Sequence, residues 1–252
     1  AFTQEGYQDD SITLKLETRE EEGVVWRVAH ITISDPSQLR TTTAGSPRSS
    51  RVALISSMAE KNNAIIATNA NYMSNDPVKT SFEYRMGEKV RNKFNGVKDL
   101  LITDEKGNLH IFTGKDKKSQ MAAFESDGHT IVNAFTFGPA LVVDGTLQTI
   151  PEEYGYNPHG REPRMAFGQV DTLSYVMVLA EGRTQDSQGV TQQELADYMF
   201  NLGCMQAFNF DGGNSATMVY NGGYYQQKTK DNERAQSDML YFATLVDPAS
   251  WQ

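Results

Sequence analysis

Alternation of apolar and polar residues restricts this chain more than any other feature. "SITLKLE" (11–17) and "VVWRVAHITI" (24–33) alternate the two types and are rich in β-branched residues. A two-residue period puts the apolar side chains on one face of an extended chain, so both segments predict half-buried strands. Gly23, after three glutamates, predicts the turn between them. "AIIATNA" (64–70) reads as a buried strand, and "DLLITDEKGNLHIFTG" (99–114) as a hairpin turning at Lys106-Gly107-Asn108. "HTIVNAFTFGPALVVDG" (129–145) predicts two strands broken at Gly138-Pro139. "RMAFGQV", "LSYVMVLAEGR", "MQAFNF", "ATMVY" and "MLYFATLV" add five more, with a turn at Asn221-Gly222-Gly223.

Two segments carry helical spacing instead. In "SSRVALISSMAEKNN" (49–63), Val52, Ile55, Met58 and Ala59 share a face, Ser50 is the expected N-cap, and Asn62 or Asn63 the stop. In "VTQQELADYMFNLG" (190–203), Thr191 and Glu194 form a capping box, Val190 and Leu195 a hydrophobic staple, and Gly203 the C-terminal stop. Many strands with few helices, not in regular alternation, predict an α+β fold. We expect a mixed, mainly antiparallel sheet with a few flanking helices in a single domain. Residues 1–23 would form a loose start and an edge strand, and residues 24–252 the body of one folded unit.

The net charge of −9 disfavours a polyanion-binding surface. The most basic stretch, 78–96, with Lys79, Arg85, Lys89, Arg91 and Lys93, also holds two glutamates and reads as a solvated loop or hairpin, so no nucleic-acid partner is expected. No apolar run approaches the ~20 residues of a membrane span. The single cysteine, Cys204, excludes an intrachain disulfide and a cysteine-rich zinc site, and its apolar neighbours predict a buried core thiol. There is no Walker A loop, His-Glu-x-x-His helix, dinucleotide fingerprint or Gly-x-Ser-x-Gly elbow.

Four predicted strands end in polar groups. "FNFDGGNSATMVY" (208–220) delivers Asp211, followed by Gly212, Gly213, Asn214, Ser215 and Thr217. The stretch serves equally as a tight turn and as a site: glycines can aim successive N–H groups at an anion, and an acid at a strand end can act as acid, base or metal ligand. "ATNANYM" (67–73) ends on Asn69 and Asn71, "GREPRMAFG" (160–168) carries Arg161 and Arg164, and "LAEGRTQDSQG" (179–189) ends on Glu181 and Arg183. Sheet proteins gather catalytic groups on loops at strand ends. Arginines suit phosphate or carboxylate. Two acids suit glycosidic cleavage.

These elements together resemble the phosphodiester glycosidase family, the family of the mannose 6-phosphate uncovering enzyme. The family pattern is a strand ending in Asp-Gly-Arg, a helix with Glu-Leu-Ala, then Asn-Leu-Asp-Gly-Gly-Gly-Ser-x-Thr. Here Glu181-Gly182-Arg183, Glu194-Leu195-Ala196 and the run from Asn209 to Thr217 take those places. "ATNANYM" matches an earlier element at Asn69, and "PRMAFG" matches Pro-Arg-Thr-Ala-x-Gly at Pro163, Arg164, Ala166 and Gly168. "FGPALVVDG" is similar to Gly-Pro-x-Leu-x-x-x-Gly. The resemblance covers about 24–246 and is dense from about 135. Glu181 replaces the family aspartate, Asn214 the third glycine, and 74–98 does not follow the pattern.

The resemblance implies hydrolysis of a sugar-1-phosphodiester, such as one of N-acetylglucosamine, to the free sugar. It implies Asp211 and Glu181 as the catalytic pair, and Arg164, with Arg183, as the phosphate clamp. Gly212, Gly213, Ser215 and Thr217 would be donors to phosphate or sugar, and Asn69 and Asn209 would hold sugar hydroxyls or orient the acids. Two alternatives are an anionic-glycan binding module without turnover, and a phosphodiesterase that uses Ca²⁺ or Mg²⁺ on Asp211, Glu181 and Asn209. The family and the absence of an initial Met give the expectation of an extracytoplasmic location, in a secreted, periplasmic or surface-anchored protein.

Overall fold

A computed structural model describes residues 1–73, 81–228 and 230–247. In chain order, the strands are β1 (Gly6–Gln8), β2 (Ile12–Glu21), β3 (Val24–Ile33), β4 (Leu39–Thr43), β5 (Ile66–Asn69), β6 (Phe82–Arg85), β7 (Glu88–Asn92), β8 (Asp99–Asp104) and β9 (Leu109–Phe112). They continue as β10 (Ile131–Phe137), β11 (Ala140–Val143), β12 (Thr146–Leu147), β13 (Arg164–Asp171), β14 (Ser174–Ala180), β15 (Gln206–Phe210), β16 (Met218–Tyr220), β17 (Gly223–Tyr224) and β18 (Asp238–Phe242). Among the described residues, three α-helices accompany them: α1 (Ile55–Lys61), α2 (Lys117–Ser126) and α3 (Gln192–Asn201).

The strands form three sheets and not one. The largest runs β1-β2-β3-β14-β13-β15-β11-β12, the second β7-β6-β10-β8-β9, and the third β17-β16-β5-β18-β4. The pairs within each are antiparallel. Their inner faces meet in one core, with Ile31, Phe167 and Phe208 from the first, Leu101 and Phe135 from the second, and Ile66, Leu240 and Phe242 from the third. Because side chains alternate, the outer faces are also apolar, and each takes a helix. The α3 residues Leu195, Ala196 and Met199 cover Val28, Val176 and Val178. The α1 residues Ile55 and Met58 cover Ala67 and Met239, and the α2 residues Met121 and Phe124 cover Leu100 and Ile102. The fold is α+β, as the spacing predicts.

The α3 capping box forms as expected: Glu194 N–H donates to Thr191 Oγ1 at 3.1 Å, and Thr191 N–H to Glu194 Oε2 at 2.8 Å. The α1 expectation is too long. Residue 53 instead makes a β-bridge to Gln236, Val52 is exposed, and the helix begins at Ile55 with no side-chain cap. The start of the chain is not loose. β1 pairs with β2, and Asp9 accepts hydrogen bonds from Ser11 N–H at 2.7 Å and Tyr7 at 2.7 Å. In the basic stretch, β6 and β7 form the hairpin, but Arg85 is buried and not solvated. Residues 78–80, including Lys79, lie outside the described residues. Cys204 is a core thiol pushed up to about 12 by burial, too high for a ready nucleophile.

Candidate active site

Asp211, at the end of β15, is placed by bonds of its main chain to the end of β5 in the third sheet. Its N–H donates to Ala70 O at 3.2 Å, and its carbonyl accepts from Asn69 Nδ2 at 2.7 Å. Asn69 Oδ1 accepts from Thr217 N–H at 3.0 Å. One fully buried amide thus ties β5 to both ends of the loop after β15, which an aspartate, lacking donors, does not do. Burial raises the Asp211 carboxyl above the usual range, against the Ser215 hydroxyl, the Arg234 charge and the Gly212 N–H, which favour the ionised form.

The two glycines have a different task from the expected anion nest. A Cβ on Gly212 would meet Pro163 O at 2.6 Å. Gly213 has φ +60° and donates its N–H to the same carbonyl at 2.8 Å. With the Gly212 N–H on the Asp211 carboxylate, these two donors are engaged within the protein. Gly212 and Gly213 let the loop lie against the 163 segment, and they aim Asp211.

Asp211 opens into a cavity of about 500 Å³ that also holds Glu83, Asn71 and Thr136. Glu83, only 1% exposed, accepts from Asn71 Nδ2 at 2.7 Å. Burial pushes its carboxyl up to about 7, against the opposing pull of Arg85 and Asn71. The charge balance supports that direction. Arg85 reaches Glu83 at 3.3 Å but Asp238 at 2.6 Å, so one buried cation serves two acids. Among the described residues, three cationic side chains, Arg91, Lys98 and Arg234, line the same cavity, beside Tyr72 and Tyr156. Lys98 Nζ lies 3.9 Å over the Tyr156 ring, which stacks on Phe137 at 4.2 Å, and the Arg234 guanidinium lies 4.8 Å over Tyr72.

Glu181 faces a second cavity, of about 400 Å³, with Arg183 and Lys228; Arg234 lines both. Its carboxylate is closed by an ion pair with Arg27 Nε at 2.6 Å and accepts from Gln227 N–H at 3.3 Å. Lys228 donates to Asn214 O, Ala216 O and Thr217 Oγ1, and burial lowers it to about 8. Arg183 pairs with Glu162 at 2.6 Å and reaches Asn214 Oδ1 at 3.1 Å.

The two acids of the expected catalytic pair thus line neighbouring cavities that share Arg234, and Asp211 has a further acid, Glu83, in its own cavity. Arg164, the expected clamp, has its guanidinium engaged within the protein. Its guanidinium is buried and donates to Val190 O, Tyr156 O, Asn157 O and Gly160 O, and burial lowers it to about 10. It fastens the loop that carries Tyr156. Asn209 donates to Gly138 O at 3.0 Å, while its Oδ1 is buried without a hydrogen-bond partner among the described residues. Ser215 bonds Asp211 as an orienting hydroxyl, and Thr217 Oγ1 donates to Ser215 O at 3.1 Å.

Residues 62–243 match the model of the phosphodiester glycosidase family. The chain belongs to that family. Among curated proteins it is similar to the SPbeta prophage-derived uncharacterized protein YomE of Bacillus subtilis, with 24% identity over 188 residues. That match takes in 73% of this chain and 28% of the relative, so the chain spans little more than a quarter of that protein. Among solved structures it resembles the catalytic domain of zebrafish N-acetylglucosamine-1-phosphodiester α-N-acetylglucosaminidase, auto-inhibited by its pro-peptide. There the TM-score is 0.70 at 18% identity, over 94% of this chain and 85% of that one. A hypothetical protein from Synechocystis has a TM-score of 0.67 at 14% identity, over 92% and 62%. The phosphodiester glycosidase fold is thus shared well beyond recognisable sequence identity.

Proposed function

We propose that this phosphodiester glycosidase family member hydrolyses a glycosyl phosphodiester, N-acetylglucosamine-1-phosphodiester-like, in the cavity shared by Asp211 and Glu83. The observation that carries the reading is the combination in that cavity: a buried and a half-buried carboxyl, both raised by desolvation, with three cations and two tyrosine rings. Acids raised by burial and set among specific partners mark functional sites. Cations complement the phosphate, and ring faces complement a sugar's apolar side.

In the reaction, the bond between sugar C1 and the phosphate oxygen breaks, and water supplies the new C1–O bond. Glu83, protonated up to about pH 7, supplies a proton to the departing oxygen. Asp211, held by Ser215 and Gly212, is the carboxylate that supports positive charge at C1 or activates water. Arg91, Lys98 and Arg234 hold the phosphate. Glu181, Arg183 and Lys228 border the neighbouring cavity, where the group esterified to the phosphate would extend. We place the protein outside the cytoplasm, a location that cell fractionation tests.

The test is to incubate the protein with UDP-N-acetylglucosamine or a simpler N-acetylglucosamine-1-phosphodiester and identify the products, with Asp211→Asn alongside. Free sugar from the wild type and none from the variant supports the reading. Sugar phosphate, abolished by EDTA, would indicate a metal-dependent phosphodiesterase. A ligand bound and recovered intact would indicate a binding module.

A further inference from the structure

The end of the second sheet away from the cavity carries a cluster that the proposed reaction does not use. Asp104, the last residue of β8, is buried, with its side chain between two imidazoles. Its Oδ2 is 2.8 Å from His110 Nε2 and 3.3 Å from His129 Nδ1, and the three ligand-type atoms lie within 4.8 Å of one another. Glu105 Oε1 lies 3.8 Å from the same His129 nitrogen.

We propose that Asp104, His110 and His129, with Glu105 in the fourth position, form a site for a divalent cation of the zinc class. Two imidazoles with carboxylate oxygens suit zinc better than Ca²⁺ or Mg²⁺, which prefer all-oxygen shells. Ligand atoms at ~2.0–2.2 Å from a tetrahedral zinc stand roughly 3.3 Å apart, which small side-chain adjustments reach from the observed spacing. A second observation points the same way. His129 Nδ1 is a buried nitrogen with no hydrogen-bond partner among the described residues, and it faces Asp104.

The surroundings fix the ligands. Asp104 Oδ1 accepts from Lys106 N–H at 2.9 Å and Asn108 N–H at 2.8 Å, which turns Oδ2 towards the histidines. Phe124 of α2 meets His110 edge-on at 4.9 Å and stacks on His129 at 5.1 Å. Both imidazoles keep about a quarter of their surface in solvent, at 27% and 24%, so a cation can enter. Asp99, at the cavity end of β8, is five residues from Asp104, roughly 17 Å of strand. The cation would pin the β8–β9 hairpin to the segment entering β10. It would act on stability and not on the glycosidic bond.

The experiment uses the whole chain, stripped with a chelator, dialysed and titrated with Zn²⁺ alone by calorimetry, with melting followed in parallel. The wild type is expected to take up one equivalent and to melt higher with zinc. His110→Gln and His129→Gln should each weaken uptake at least tenfold and abolish the zinc-dependent rise, while melting like the wild type in chelator. His159→Gln, at an exposed histidine outside the cluster, should bind as the wild type. The absence of stoichiometric uptake by the wild type, or undiminished uptake by both His110→Gln and His129→Gln, overturns the proposal.

Discussion

Glu83 and Glu181 are both buried glutamates, both bonded to arginine, and each lines one of two cavities that share Arg234. They differ in how many acids their arginine serves. Arg27 makes its ion pair with Glu181 alone among the described residues, and the pair is complete. Arg85 is divided between Glu83 and Asp238 and lies closer to Asp238. Glu83 is left as the acid that burial pushes up to about 7, beside Asp211. A carboxylate with its own cation is a structural tie. One that shares a cation in a low-dielectric pocket is chemically available.

Substitutions can break or sharpen this contrast. The largest effect is expected from Asp211→Asn, which should lower kcat/KM for glycosyl phosphodiester cleavage by about a thousandfold or more while the fold persists, as circular dichroism would show. Next comes Glu83→Gln, with a loss of about a hundredfold and a changed pH profile. Wild-type activity should fall as pH rises through about 7, where Glu83 gives up its proton, and the variant should lack that limb. Stability follows the same sign. The folded carboxyl titrates near 7 and the unfolded one near 4.5, so the native state binds more protons in between. Its contribution is full below about pH 4.5 and is lost as pH rises to about 7, a slope that denaturant titrations should show in the wild type and not in Glu83→Gln.

Arg164→Ala should cost about 3 kcal/mol of stability, because part-buried carbonyls of the 156–160 loop lose a charged donor. Its effect on activity should be mainly on KM, through Tyr156. A large fall in kcat with unchanged melting would restore the phosphate clamp. The smallest effect is expected from Lys98→Ala, about a tenfold rise in KM for the phosphodiester with little change in kcat.

Much of the fold was readable where local chemistry decides it. The alternation of 11–33, the turns at Gly23 and Gly107, and the Thr191–Glu194 box all appear as expected. α2 was missed because "KKSQMAAFES" buries only Lys117, Met121 and Phe124, and its N-cap Asp116 makes no side-chain cap bond. α1 was overextended because residue 53 pairs with Gln236, a partner that helical periodicity does not show.

The site divides in the same way. Asp211 is visible as an acid between a strand and two glycines. Glu83 is not, since "SFEYR" reads as a charged hairpin until Arg85 meets Asp238, 153 residues away. The only local hint was two opposite charges, Glu83 and Arg85, on one strand face. Arg164 misled in the opposite direction. A guanidinium suits a phosphate, but here it serves four carbonyls.

The most direct test is to compare Glu83→Gln with Glu181→Gln for release of free sugar from an N-acetylglucosamine-1-phosphodiester at pH 6. A loss of about a hundredfold in Glu83→Gln, with Glu181→Gln within tenfold of wild type but less stable by about 2 kcal/mol, is the predicted result. A collapse of activity in Glu181→Gln with Glu83→Gln unimpaired would contradict the account and return the second catalytic carboxylate to Glu181.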